Sequence, residues 1–229
     1  MKVAIVYVYP NLGDAYAAAA RKFVASYVKF KPKDVEHLFF VVVNGGDFEN
    51  ISTALFKPLD PIYLRHDNSG FDIGAFQLAA RCVDSDTCDL MVFCGSSTYI
   101  KHPRWLNRVV ESFYIHGDTL YGAMGNRGVP ANRIEPHIRT TGFWMTPGLF
   151  NKYPYAITES IQRYEFEHGS RGLTSWIIRD QGKTPWLVCG TGEFNQPLWD
   201  SVPNAYHNGD QSNLLFGDRL TMPPYYHVE

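Results

Sequence analysis

The sequence predicts a single α/β domain, in which helices flank a mostly parallel sheet. Two observations carry this prediction. Apolar runs of strand length alternate with segments of helical periodicity through the first half of the chain. These runs are continuous, which is typical of strands that are covered on both faces. The length of 229 residues suits one domain, and an apolar fraction of 45% is enough for a large core.

The first half of the chain supplies five predicted strands and the helices between them. A β-branched run opens at Val3, and the helix that follows has aromatic residues at helical spacing. Turns rich in polar residues or glycine separate most of these segments. The predicted strands are Val3 to Val8, His37 to Val43, Ile62 to Leu64, Leu90 to Cys94 and Thr119 to Met124, and the predicted helices are Ala15 to Phe30, Ile51 to Phe56, Ala75 to Val83 and Trp105 to Tyr114.

The second half is less regular, and it contains one strand that is predicted to cross back against the others. This strand is His137 to Met145. Helices are predicted at Pro147 to Tyr153, Ala156 to Glu167 and Leu173 to Asp180, followed by a last strand at Thr184 to Val188.

Composition excludes several classes of protein. The formal net charge is −2 and there is no basic block, so nucleic acid is not an expected partner. The four cysteines form no close pair, which indicates a reduced chain without a zinc site. No apolar run reaches the ~18 residues that a membrane span needs, and the first ten residues lack the features of a signal peptide. We therefore expect a cytoplasmic protein, and action at the inner membrane face stays open.

Four polar turns follow the carboxyl ends of successive predicted strands. In a parallel sheet these ends lie at one edge, where open α/β sheets bind ligands. The third turn is the richest, because its polar side chains stand beside glycines that let a ligand approach the backbone. An Asx turn with a helix N-cap is the alternative reading of that turn. The turns are Tyr9-Pro10-Asn11, Asn44 to Asp47, Asp67 to Gly74, and Gly95 to Thr98.

Familiar nucleotide and hydrolase motifs are absent from the sequence. It contains no GxxxxGK[ST] phosphate loop, no GxGxxG dinucleotide motif and no GxSxG nucleophile elbow. A dehydrogenase is therefore disfavoured.

The order of elements resembles that of GT-A nucleotide-sugar glycosyltransferases. The segment Asn68-Ser69-Gly70-Phe71-Asp72-Ile73-Gly74-Ala75-Phe76 is similar to the rhamnan synthesis protein F family of bacterial polysaccharide glycosyltransferases. The resemblance implies a GT-A-like, Rossmann-related fold, a nucleotide-diphosphate-sugar donor on residues 1–125 and a glycan or lipid-linked glycan acceptor on residues 126–229. The donor-binding residues that it implies are Tyr7, Tyr9, Asn44, Asp67, Asn68, Gly70, Asp72, Gly74, Gly95, Ser96 and Ser97.

The sequence departs from the GT-A pattern where a metal-binding Asp-x-Asp is expected. Leu90 to Ser97 carries no carboxylate, and serine hydroxyls do not neutralise a diphosphate. Either the enzyme works without a metal, or the domain has lost catalysis and kept binding. Mg²⁺ or Mn²⁺ stays a candidate cofactor without assigned ligands. A nucleotidyltransferase is the last reading, because it needs paired metal-binding carboxylates at strand ends, and Asp67 and Asp72 are the only pair near such an end.

An inverting transfer needs a carboxylate that takes the proton of the acceptor hydroxyl. The resemblance implies that this base opens a helix that ends in a glycine turn before an apolar strand. Glu167 and Glu165, which precede the helix that ends at Asp180, are the candidates. The residues that it implies around the acceptor and the diphosphate are His137, Arg139, Thr141, Gly142, His207 and Asp210.

Overall fold

A computed structural model of the protein describes residues 1–49, 51, 53–83, 86–126, 135–202, 213–219 and 221. Most of its strands are continuous apolar runs, as the sequence predicts. The strands are β1 (Lys2–Tyr9), β2 (Glu36–Asn44), β3 (Ile62–His66), β4 (Leu90–Cys94), β5 (Tyr99–Ile100), β6 (Tyr121–Gly122), β7 (Gly125–Asn126), β8 (His137–Ile138), β9 (Gly142–Met145), β10 (Trp186–Val188), β11 (Glu193–Asn195) and β12 (Phe216–Gly217).

Helices connect the strands and cover both faces of the sheet. In the described part of the chain, none of them is both long enough and apolar enough to cross a membrane. The α-helices are α1 (Asp14–Lys29), α2 (Thr53–Phe56), α3 (Phe71–Cys82), α4 (Trp105–His116), α5 (Pro147–Phe150), α6 (Ser160–His168) and α7 (Leu173–Arg179), and 3-10 helices run over Lys57–Leu59 and Gln196–Ser201.

Eight strands form one sheet in the order β11-β10-β6-β9-β4-β1-β2-β3. All neighbours pair in parallel except at β9 and β11, which run against the others. The carboxyl ends of β1 to β4 therefore lie at one edge, which we call the carboxyl edge. Because β9 is antiparallel, its first residue, Gly142, pairs with Cys94 at this same edge.

The sheet is covered on both faces by separate apolar clusters. Val6 and Phe93 face a cluster that includes residues of α3, α5 and α7. Ile5 and Val92, their sequence neighbours, face a cluster that includes residues of α1 and α4. This alternation explains why β1 and β4 are apolar at every position, and it confirms the predicted α/β architecture.

Several predicted boundaries differ from the structure, and the three largest differences have a structural reason. Helix α3 begins at Phe71 rather than Ala75, because Gly70 turns the chain in a left-handed conformation. Helix α6 begins at Ser160 rather than Ala156, where Glu159 forms a capping box. The predicted strand from His137 to Met145 is broken into β8 and β9, because Arg139 hydrogen-bonds through its backbone to Met124, outside the sheet.

Gly70 is a position where the fold tolerates no side chain. Its φ is +68°, and a Cβ there would overlap the carbonyl oxygen of Ile157. Its backbone N–H also donates to the Thr158 carbonyl at 2.9 Å. We expect Gly70→Ala to lower the free energy of unfolding by about 2–3 kcal/mol, measured by urea denaturation.

Gly148 provides the matched control for this substitution. It lies in α5, and a Cβ there would meet nothing within 4 Å. Gly148→Ala should therefore change the free energy of unfolding by less than about 0.5 kcal/mol. Equal small losses in the two variants would contradict the tight approach at Gly70.

Candidate functional site

Hydrogen bonds join the polar turns at the carboxyl edge. The Asn11 amide donates to the Asp47 carbonyl at 2.7 Å, and the Gly45 N–H donates to the His66 carbonyl at 2.8 Å. The Tyr7 hydroxyl donates to the Ser96 carbonyl at 2.9 Å, which links β1 to the turn after β4. The structure thus brings the four turns to one edge of the sheet.

Asn44 and His66 form a polar pair at the ends of β2 and β3. Asn44 is fully buried, and its Oδ1 lies 2.7 Å from His66 Nδ1. Asn44 Nδ2 is buried without a hydrogen-bond partner among the described residues. Burial lowers the pKa of His66, which favours a neutral ring. Sequence reasoning missed His66, although a polar residue at the end of an apolar strand can indicate a site residue.

The third turn combines an Asx turn with the start of α3. Asp67 Oδ1 accepts from the Ser69 N–H at 2.9 Å, and the Asp67 side chain is 80% exposed. Asn68 has a φ of +71°, and its Cβ lies 3.1 Å from where a Cβ on Gly45 would stand. Asp67 therefore shapes the turn, and the turn packs against the one after β2.

Helix α3 places a carboxylate beside the end of β4. The Ser96 backbone hydrogen-bonds to Asp72, and a Cβ on Gly95 would stand 3.2 Å from Asp72 Oδ2. Burial raises the pKa of Asp72, Glu167 raises it further, and Arg163 lowers it. A carboxylate thus lies at the end of β4 although β4 itself carries none.

Glu167 approaches the same region from α6. Its Oε1 lies 3.3 Å from both the backbone nitrogen and the hydroxyl of Thr140. The Arg139 Nε atom lies 4.0 Å from that oxygen. A Cβ on Gly95 would lie 3.2 Å from Asp72 Oδ2 and 3.9 Å from the backbone oxygen of Thr140, the residue that Glu167 contacts, so the two carboxylates flank the same turn.

The segment of residues 213–219 adds a third carboxylate. Strand β12 pairs with β5, which brings Asp218 to the carboxyl edge. Asp218 Oδ2 accepts from the Thr141 hydroxyl at 3.0 Å and lies 3.3 Å from Arg139 Nη2. The Thr98 hydroxyl donates to the Thr141 carbonyl. We call Asp72, Arg139, Glu167 and Asp218 the edge cluster.

Sequence reasoning found three members of the edge cluster and missed Asp218. It also missed Arg163, which precedes Glu167 by about one helical turn on α6. The only sequence signal for Asp218 is its place after the apolar run Leu214-Leu215-Phe216.

Two histidines border Glu167: His137 is buried and His168 is partly exposed. His137 is 4% exposed, and its ring centroid lies 5.2 Å from that of His168. Burial lowers the pKa of both rings, while Glu167 raises it. His168 Nε2 has no hydrogen-bond partner in the part of the chain that the structure describes. His137 thus lies close to Glu167.

Other predicted site residues lie apart from the edge cluster. Glu165 points to the opposite face of α6, where it lines a cavity with Tyr153 and Tyr155. Tyr7 is fully buried and stacks on Phe23 with centroids 4.1 Å apart, so its ring is not available to a ligand.

The remaining predicted residues lie at or near the carboxyl edge, or outside the described residues. Tyr9 is buried and its hydroxyl lies 3.3 Å from Asn11 Oδ1. Ser96 and Ser97 are partly exposed in the turn after β4. A Cβ on Gly74 would overlap the Ser69 carbonyl oxygen, and one on Gly142 would lie 2.9 Å from the Phe216 ring. His207 and Asp210 fall outside the described residues.

The edge cluster does not form a ready metal site. Within the described residues, no group of three or more His, Cys, Asp or Glu side chains is placed to hold a metal ion. The oxygens of Glu167 and Asp218 accept from threonines and face Arg139, and Asp72 accepts from the Ser96 backbone. The positive charge beside Glu167 and Asp218 is that of the Arg139 guanidinium.

Asp72 should impose a pH dependence on stability. When folding raises the pKa of a carboxyl group, that group stabilises the protein fully at a pH below its unfolded-state pKa. This stabilisation is lost as the pH rises through the folded-state pKa. We therefore expect Asp72→Asn to raise the free energy of unfolding by about 1–2 kcal/mol at neutral pH. The gain should vanish below the usual aspartate pKa of about 3.9. Urea denaturation at both pH values measures this, and a variant less stable at neutral pH would contradict it.

Known proteins resemble the chain in structure but not in sequence. No protein-family profile and no curated protein sequence matches it. The apo crystal structure of mouse xyloside xylosyltransferase 1 superposes with a TM-score of 0.51 at 10% identity, over 79% of this chain and 83% of that one. The fold is GT-A-like.

Two further structures resemble the GT-A-like fold less closely. Residues 1–349 of TarS from S. aureus, in complex with UDP-GlcNAc, give a TM-score of 0.48 at 16% identity over 66% of this chain and 46% of that one. The 4-diphosphocytidyl-2C-methyl-D-erythritol synthase of Anaerococcus prevotii gives 0.49 at 10% identity, over 72% and 81%. The chain spans about half the length of this TarS structure.

Proposed function

We propose that the protein is a glycosyltransferase that moves a sugar from a nucleotide-diphosphate sugar to a glycan acceptor. One observation carries the proposal: Asp72, Glu167 and Arg139 converge at the carboxyl edge of a GT-A-like sheet. Ligands of open α/β sheets bind at this edge. The xylosyltransferase with the same fold, by its name, transfers a sugar.

The proposed step uses Glu167 as the base. The acceptor hydroxyl gives its proton to Glu167 while its oxygen bonds to the anomeric carbon of the donor sugar. The bond from that carbon to the diphosphate oxygen breaks, and the diphosphate leaves with the electron pair. Arg139 and Arg163 are two cations of this region that can meet the developing charge. Asp72 holds the turn after β4 through the Ser96 backbone.

Finer features of the function are also proposals. We infer an inverting transfer of a hexosyl or rhamnosyl unit in bacterial surface polysaccharide synthesis, of the rhamnan type. The support is the Asn68 to Phe76 segment and the position of Glu167 in the edge cluster. A cytoplasmic location, with a lipid-linked glycan acceptor at the inner membrane face, completes the proposal.

Donor binding is the first test. Titration of the protein with UDP-sugars and dTDP-sugars, followed by calorimetry, should give saturable binding to at least one donor. Parallel titrations with EDTA, Mg²⁺ and Mn²⁺ decide the metal dependence, and we expect binding to persist in EDTA because Arg139 and Arg163 supply positive charge. Absence of binding to any donor under all three conditions would refute the proposal.

The alternative function is a sugar-binding or nucleotide-binding module without catalysis. The absence of carboxylates on β4 favours it. Donor hydrolysis separates the two: slow release of nucleotide that Glu167→Gln abolishes supports the enzyme, while binding without any hydrolysis or transfer supports the module. The nucleotidyltransferase reading gains no support, because Asp67 is 80% exposed in its Asx turn while Asp72 is partly buried beside the end of β4.

A further inference from the structure

A cavity of about 250 Å³ lies on the face of α6 opposite Glu167. The edge cluster and this cavity are therefore separated by one helix. Eight residues line the cavity: Tyr153, Pro154, Tyr155, Ala156, Ile157, Gln162, Glu165 and Arg171.

The cavity has an aromatic wall that is held in place. Tyr155 is 38% exposed, and its ring lies 5.5 Å from that of Tyr153 at 73°. The Tyr153 hydroxyl donates to the Arg171 carbonyl at 2.6 Å. The Gln77 side chain donates to the Tyr155 carbonyl at 2.8 Å. The wall thus presents an exposed ring on a fixed backbone.

A carboxylate and a guanidinium also line the cavity. Within the described residues, the side chains of Glu165 and Arg171 form no hydrogen bond and no ion pair. The guanidinium carbon of Arg171 lies 4.9 Å from the centroid of the Tyr155 ring. Glu165 acts on the pKa of Tyr153, which places its charge at the cavity wall. Both groups therefore keep their full hydrogen-bonding capacity for a ligand.

We propose that this cavity binds one pyranose ring of a glycan. A pyranose combines an apolar C–H face, which packs on an aromatic ring, with hydroxyl groups around its rim. Glu165 accepts hydrogen bonds from two such hydroxyls, and Arg171 donates to oxygens. Ligand pockets for larger molecules usually exceed about 300 Å³, so the cavity fits a single sugar better than a nucleotide sugar.

The position of the cavity suggests which glycan it holds. Gly70, at the start of the donor-side helix α3, packs on the carbonyl of Ile157, a cavity residue. A glycan that reaches the edge cluster can place a more distant unit behind α6. The assignment of this glycan as the acceptor rests on the proposed function, whereas the binding of a pyranose does not.

Ligand-observed NMR tests the site directly. The probes are the methyl glycosides of glucose, rhamnose, N-acetylglucosamine and glucuronic acid, added one at a time. We expect saturation transfer to the ring C–H protons of at least one glycoside. Tyr155→Ala should weaken its binding by roughly tenfold, since an aromatic contact with its buried area is worth about that factor. Glu165→Gln should also weaken it.

Two control variants make the result interpretable. Tyr114→Ala removes a tyrosine that is 69% exposed on α4 and should not alter binding. Asp72→Asn alters the edge cluster and should also leave binding unchanged. Thermal melts identify any variant that fails to fold.

The inference is overturned if no glycoside binds at millimolar concentration. It is also overturned if Asp72→Asn removes binding while Tyr155→Ala does not, because the sugar then sits at the edge cluster. Failure of nucleotide-sugar binding with retained glycoside binding would refute the proposed function alone.

Discussion

Replacing Glu167 by glutamine should reduce the rate of sugar transfer by about 10²–10⁴-fold. The amide cannot take the acceptor proton, but it still accepts the hydrogen bonds that Thr140 makes to the carboxylate. Donor affinity should stay within about twofold, since the base contacts the acceptor rather than the nucleotide. The measurements are kcat with a glycan acceptor and the donor Kd by calorimetry.

Two other glutamates make this result specific. Glu36→Gln changes a 71% exposed residue at the opposite edge of the sheet, where Glu36 pairs with Lys2, and it should leave kcat unchanged. Glu165→Gln tests the other predicted base from the same helix. Loss of kcat in Glu165→Gln together with normal kcat in Glu167→Gln would reverse the assignment of the base.

Replacing Arg139 by alanine should lower the free energy of unfolding by about 3–5 kcal/mol. Arg139 lies between two acidic side chains and is 15% exposed, while its partner Asp218 is 4% exposed. Removing the guanidinium leaves a buried carboxylate without this cation, and the cost of its desolvation remains. Urea denaturation at neutral pH measures the loss.

An exposed ion pair on the same protein provides the comparison. Arg104 pairs with Glu111, and the two side chains are 64% and 37% exposed. Arg104→Ala should therefore cost no more than about 1 kcal/mol. The double variant Arg139→Met with Asp218→Leu should recover part of the stability, since it removes both charges. An Arg139→Ala variant as stable as Arg104→Ala would refute the buried network.

The central sheet could be predicted from the sequence because its strands are buried on both faces. The runs Val3 to Val8 and Leu90 to Cys94 are apolar at every position. This pattern is typical of a strand that is covered on both faces, because both sets of alternating side chains are then buried. Short strands gave no such signal. Strands β5 and β12 have two residues each, so no periodicity marks them.

The candidate site was predictable only where it depends on local sequence. Glu167 was found as a carboxylate at a helix end, and Asp72 as part of a polar turn. The contact of Asp72 with the end of β4 was not predictable, because α3 starts at Phe71, four residues before the expected helix. Gly70 and Gly74 disfavour a helix in this segment because glycine has a low helix propensity. The packing of Gly70 against Ile157 outweighs this low propensity.

The pairing of β12 with β5 has a consequence for the order of folding. Strands β1 to β4 are contributed by the first 94 residues and lie side by side in the sheet in the order β4-β1-β2-β3. Asp218 joins them only through a contact between distant parts of the chain, and such long-range closures are slow. On the ribosome, a nascent chain that already holds its central strands would still lack the partner of Arg139. We expect such an intermediate to be compact but to lack a complete edge cluster.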